Sequence, residues 1–198
     1  AFALKVPLIG VNHVEAHLYS PWFQGNPPRA YWEGFQPNIS LVISGGHTFL
    51  AQVDHPLDHT IIGSTQDDAA GECFDKCAKL LGLGYPGGPI IDRLATQGNP
   101  EAYTFARPML NQDNHDFSFS GLKTSVRYFL EKHPDLAEED VALPDLCASI
   151  QAAIVEVLVK KTIRAARRQR LGCITLSGGV ACNTGLRKAF QQACEKHE

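Results

Sequence analysis

The chain has 198 residues, 44% hydrophobic and 20% charged, and 18 Lys and Arg against 21 Asp and Glu leave a net charge of -3. These proportions fit one large core or two modest ones, provide no run of about 18 apolar residues for a membrane span, and exert no overall pull on a polyanion. A nucleic-acid partner would therefore need a local basic patch. Cysteines 73, 77, 147, 173, 182 and 194 lack the spacing of a disulfide framework, so free thiols and a cytoplasmic setting are expected. The opening AFALKVPLIGVNH is broken by Lys5 and Pro7 and is not a signal segment. The chain has no initiator Met and stops in a polar helix, which suggests a piece of a longer protein.

In chain order, Val6 to Val11 reads as a short buried strand, and Val14-Glu-Ala-His-Leu-Tyr as a helix cut off by Pro21. Residues 24–37, with Gly25, Pro27, Pro28, Gly34 and Pro37, read as a linker. The runs 39–44 and 48–53 form a hairpin around Ser44-Gly45-Gly46, whose glycines are expected to supply positive φ. A further strand covers His59 to Gly63. From Asp67 to Leu83, Ala70, Phe74, Cys77, Leu80 and Leu81 recur at helical spacing, with acids first and lysines later. Ile90 to Gln97, Leu122 to Lys132 with Ser120 as its cap, and Pro144 to Arg170 read as helices. Strand 171–176 then enters a second Ser-Gly-Gly at 177–179, and a helix closes the chain from Thr184 to Lys196. This mixture predicts an α/β fold.

Several clusters carry possible chemistry. His13 and His17 stand at i and i+4, which puts both imidazoles on one helix face and suits two ligands of one metal. Spacing alone does not separate this from a solvated pair. Glu15, two residues after His13, points to nearly the opposite face, so this is not the zinc-protease H-E-x-x-H arrangement. Each Ser-Gly-Gly can be a simple turn; two of them at strand ends favour backbone amides approaching phosphate or carbonyl oxygens. Asp68, Glu72 and Asp75 can hold ribose hydroxyls or a cation, or else serve as surface charge with Asp75 paired to Lys79. Cys73 and Cys77 read as core. The basic run Lys160 to Arg170 fits helix-dipole complementarity and also offers a surface to RNA phosphates.

Taken in order, HVEAH, ISLVISGGHT, GSTQDDAAGECFDKCAKLLGLGYPGGPIID, DFSFSGLKT and SGGVACN resemble the tRNA adenosine threonylcarbamoyltransferase family, formerly called the glycoprotease family, in its bacterial and mitochondrial form. The resemblance implies the two-lobed fold of actin, sugar kinases and chaperone ATPases, here as a partial chain: residues 1–36 end the first lobe and 37–198 make most of the second. It implies that His13 and His17 bind one divalent metal, iron or zinc, whose third ligand lies outside these residues. It also implies substrate contacts by Val42, Ile43, Ser44, Gly45, Gly46, Asp75, Gly88, Asp92 and Asn183. The implied substrates are threonylcarbamoyl-adenylate, bound in the manner of ADP or ATP, and the adenosine beside the tRNA anticodon. Implied partners are tRNA, a paralogous subunit of the same fold and a small ATPase. No general base is nominated, and Ala181-Cys182 stands where the family commonly has Ser-Ala. The same motifs would also fit a carbamoyltransferase acting on a small molecule or maturation protein, or a nucleotide-dependent scaffold.

Overall fold

The computed structural model describes residues 3–137 and 141–196. Its centre is a four-stranded sheet in the order β5-β4-β3-β6, built from β3 (Asn38–Ile43), β4 (Thr48–His55), β5 (Asp58–Ser64) and β6 (Ile174–Ser177). β3, β4 and β5 form an antiparallel meander, and β6 returns parallel to β3 with Ile39 opposite Ile174 and Val42 opposite Ser177. A two-stranded ladder, β1 (Phe23–Gln24) with β2 (Arg29–Ala30), overlaps the expected linker, which therefore has some regular structure.

β3 is buried along its whole length because both faces of the sheet are covered, which explains its near-continuous apolar sequence. Ile39, Leu41 and Ile43 join the main core, while Val42 faces a smaller cluster with Leu18, Tyr19 and Phe49. The smaller cluster is covered by α1 (His13–Tyr19), whose first turn is capped by the Asn12 side chain. The main core is formed with α2 (Ala70–Leu80), α3 (Gly87–Ala95), α4 (Ser120–Lys132), α5 (Ala142–Gln169) and α6 (Thr184–Glu195). Cys73, Cys77 and Cys147 are buried free thiols there, as the sequence expects of the first two. α5 is long and apolar enough to cross a bilayer, so the sequence does hold such a stretch; 72% of its most apolar window is buried inside this fold.

Three local expectations change. Residues 6–12 form no strand, and Leu8 and Ile9 are each 83% exposed. A strand exists only through hydrogen bonds to a neighbour, and none pairs with this segment among the described residues. α2 begins at Ala70 rather than Asp67, and Ser120 does not cap α4 through its own side chain. Instead Asp67, freed from α2, accepts the amides of Phe119 and Ser120 at 2.7 and 3.1 Å and the hydroxyls of Ser118 and Ser120 at 2.6 and 2.7 Å. Two amides at the start of α4, those of Phe119 and Ser120, are thus satisfied by a residue 53 positions upstream of Ser120.

The basic run on α5 is largely committed internally. Lys161 is fully buried, with its Nζ 3.1 Å from Asn114 O and 3.0 Å from Asn114 Oδ1. Arg164 donates to the carbonyls of Leu110 and Gln112, Arg168 pairs with Asp113, and Lys160 with Glu156. The contacts of Lys161, Arg164 and Arg168 fix residues 110–114 against α5. A groove of about 570 Å³ lined by Lys160, Arg164, Arg167 and Arg168 lies on this part of α5 and contains none of the expected site residues.

Candidate nucleotide-binding site

The two Ser-Gly-Gly segments end adjacent parallel strands, β3 and β6, and therefore lie side by side. Crevices outside the carboxyl ends of such strands are the usual ligand sites of open α/β sheets. In the first turn Ser44 N–H donates to His47 O at 2.8 Å, and His47 N–H donates to Ser44 Oγ at 3.1 Å. Neither Gly45 nor Gly46 has positive φ, contrary to expectation. A Cβ on either would meet nothing within 4 Å, and their amides make no hydrogen bond among the described residues. Glycine here leaves space and free donors; it does not relieve strain. The left-handed residue is Gly178, at φ +87°, where a Cβ would fall 2.3 Å from Ile43 O. Val42 and Ile43 have fully buried side chains, so only their backbones can reach a ligand.

Gly45, Asp75, Gly88, Asp92 and Asn183 converge on one pocket of about 340 Å³. Phe74, Tyr85, Pro86, Pro89 and Val180 supply its apolar walls, and the exposed Cys182 stands at its edge. Asp75 Oδ1 accepts the Gly87 amide at 2.7 Å and the Gly88 amide at 3.4 Å, so it holds the start of α3 against α2. Its Oδ2 has no protein partner among the described residues, and it makes no ion pair with Lys79. Asp68 and Glu72 instead grip Lys76 at 2.7 and 2.9 Å. Asp92 uses both oxygens on the first turn of α6, accepting Thr184 N, Thr184 Oγ1 and Gly185 N. Asn183 caps the same helix through Leu186 N at 2.8 Å. Asp92 therefore fixes α6 against α3, while Asn183 caps α6 and ties its start to Gln151 on α5.

His13 and His17 share one face of α1 with ring centroids 4.7 Å apart. Partial burial lowers the His17 pKa, and the neighbouring His13 and His47 lower it further. His47 thus brings the first Ser-Gly-Gly loop into the neighbourhood of the pair. The two rings fit two ligands of a single ion; no third His, Cys, Asp or Glu completes a cluster among the described residues.

A family model described as tRNA N6-adenosine threonylcarbamoyltransferase matches residues 1–198. The chain belongs to that family. It is 50% identical over 196 residues to the tRNA N6-adenosine threonylcarbamoyltransferase of Syntrophotalea carbinolica, covering 99% of this chain and 55% of the relative. It is 52% identical over 192 residues to the protein of the same name from Trichlorobacter lovleyi, covering 97% and 54%. The chain thus spans about half the length of the curated relatives it matches. Among solved structures, component A of the Acidaminococcus fermentans (R)-2-hydroxyglutaryl-CoA dehydratase is similar at 17% identity and a TM-score of 0.48, covering 83% of this chain and 54% of that one. The mixed strands and helices of the structure agree with the α/β class expected from the sequence.

Two residues beside this loop and pocket escape a motif reading. Gly71, in the first turn of α2, packs against the hairpin loop: a Cβ there would lie 2.5 Å from Ser44 O. Gln151, on α5, accepts the Asn183 amide at 2.6 Å. A signal for the second is present in the sequence, since Gln151 interrupts the buried stripe of Ile150, Ala153 and Ile154.

Proposed function

We propose that this chain supplies the metal-binding helix and the nucleotide-gripping lobe of a tRNA N6-adenosine threonylcarbamoyltransferase. The reaction transfers a threonylcarbamoyl group from its adenylate to the exocyclic amine of the adenosine beside the anticodon. The observation that carries this reading is the convergence of Gly45, Asp75, Gly88, Asp92 and Asn183 on one pocket beneath the paired Ser-Gly-Gly turns. The relatives' shared name favours an RNA acceptor over a small molecule, a maturation protein or a scaffold role. Residues 1–36 belong to the first lobe and 37–198 to the second, in the cytoplasm, working with a paralogous subunit and a small ATPase.

The free Oδ2 of Asp75 accepts a ribose hydroxyl. The unengaged amides of Gly45 and Gly46 donate to the oxygen on which charge develops during transfer, as in an oxyanion hole. A divalent metal held by His13 and His17 would supply Lewis-acid polarisation of the mixed anhydride. The apolar walls around Phe74 and Val180 keep water from the activated group.

The test uses the family-length enzyme that carries this chain, supplied with threonylcarbamoyl-adenylate and tRNA. Wild type is expected to hold one metal ion per subunit and modify tRNA, and His13→Ala with His17→Ala to lose both. Equal metal content in the two proteins would remove the histidine site, and transfer to a nucleoside or protein but not to tRNA would remove the RNA reading.

A further inference from the structure

Asn183 lines the pocket, but its amide is not free to turn. The atom facing Leu186 N–H, at 2.8 Å, must be an acceptor because a backbone amide can only donate. That atom is therefore Oδ1, and Nδ2 is left facing Gln151 Oε1 at 2.6 Å. Both side chains are 8% exposed, so water does not readily replace either partner. One Nδ2 proton is spent on Gln151. The second Nδ2 proton of Asn183 has no protein partner among the described residues and is the donor left for a ligand, beside the one lone pair that Oδ1 keeps next to its bond with Leu186.

Gln151 is oriented by the same chain of bonds. With Oε1 committed to Asn183, its Nε2 lies under Gly185, where a Cβ would approach it to 2.5 Å. Nε2 has no protein partner among the described residues, and Gln151 borders a separate recess of about 440 Å³ that Ala148, Ala152 and Lys188 also line. A leucine would suit the buried stripe of α5 better, because an amide loses its water on burial. The bond to Asn183 accounts for the polar residue.

We propose that Gln151 is a positioning residue that, together with the Leu186 amide, locks the Asn183 side chain with its Nδ2 held in place, so that the pocket selects a ligand presenting an acceptor at this point, such as a purine ring nitrogen or a ribose oxygen. This rests on the nucleotide reading of the pocket. Gln151 itself touches no ligand and acts through Asn183.

Calorimetric titration of ADP into the family-length enzyme, together with steady-state transfer, tests the assignment. Gln151→Glu keeps an oxygen opposite Nδ2 and places its other oxygen toward the recess that Lys188 lines; it is expected to bind ADP within about threefold of wild type. Gln151→Leu removes the acceptor and is expected to weaken binding about tenfold, with the change in KM exceeding that in kcat. Asn183→Asp retains a good helix cap but turns an oxygen toward the ligand. It is expected to lose about tenfold or more in affinity while melting within a few degrees of wild type, and it reads the polarity even if Gln151→Leu does not fold. Wild-type affinity in Gln151→Leu or in Asn183→Asp would overturn the proposal, as would equal losses in Gln151→Leu and Gln151→Glu. Failure of the wild type to bind ADP would instead overturn the nucleotide reading and remove the basis of this one.

Discussion

Gly71 is pressed against the carbonyl of Ser44, with only 2.5 Å between that oxygen and the position a Cβ would occupy. In an unencumbered helix, Gly→Ala gains about 1 kcal/mol. Here the clash is with backbone, which cannot rotate away, and overpacking of this kind costs about 1–3 kcal/mol. Gly71→Ala is therefore expected to lower stability in urea unfolding. Gly46→Ala, whose Cβ enters open space, is expected to leave stability nearly unchanged yet reduce transfer, because that space is assigned to the substrate. Equal stability of Gly71→Ala and wild type would show that α2 does not hold the loop.

Asp75 and Lys79 distinguish a nucleotide contact from a surface charge. Asp75→Asn retains an oxygen for the Gly87 amide and loses the charge at the pocket. The expected loss in ADP affinity is about 1.5–3 kcal/mol, or roughly one to two decades. Lys79→Ala is expected to bind ADP as wild type does, since Lys79 makes no ion pair with Asp75. An unchanged affinity in Asp75→Asn would remove the ribose assignment.

Asp67 gives the fold a defined acid response. Burial by itself would raise its pKa, but hydrogen bonds from Ser118, Ser120 and the Phe119 amide outweigh this and bring it down to about 2, against 3.8 for the free side chain. Because the folded value lies below the unfolded one, its contribution is fully present above about pH 4 and is lost as pH falls towards 2. Asp67→Asn is expected to be less stable than wild type at pH 5, and the difference is expected to shrink by pH 2. A difference independent of pH would mean that the carboxylate charge is not what caps α4.

Lys161 tests whether the basic run serves the fold. Lys161→Met removes the donor to Asn114 O and one of the two donors to Asn114 Oδ1, the other being the Asp116 amide, and losing such bonds from a charged group is expected to cost about 1.5–3 kcal/mol. Arg167→Ala, at an exposed position without an ion pair among the described residues, is expected to fall within about 0.5 kcal/mol of wild type. Denaturant midpoints compare the two directly.

Periodicity made α2, α5 and the β3–β4 hairpin legible in the sequence, because those patterns are set by local geometry and by burial of one face or both. The strand expected at Val6 to Val11 failed for a nonlocal reason: pairing needs a neighbour that its own residues cannot announce. The two Ser-Gly-Gly motifs were visible in the sequence and end adjacent strands, but composition could not say which glycine carries the left-handed backbone. The parallel register of β3 and β6 decides that, by placing Gly178 beneath Ile43 O. Asp67 and Gln151 act on partners 53 and 32 positions away, distances over which spacing carries no information. Asp92 and Asn183 were visible as motif residues, while their work in fixing the first turn of α6 emerged only from their hydrogen bonds.

Mass spectrometry of tRNA nucleosides from cells depleted of the family-length protein tests the central claim most directly. Threonylcarbamoyladenosine is expected to fall, with unmodified adenosine rising beside the anticodon, and wild type but not the His13→Ala, His17→Ala enzyme is expected to restore it. An unchanged level of threonylcarbamoyladenosine on depletion, with no second enzyme of this family in the cell, would contradict the account.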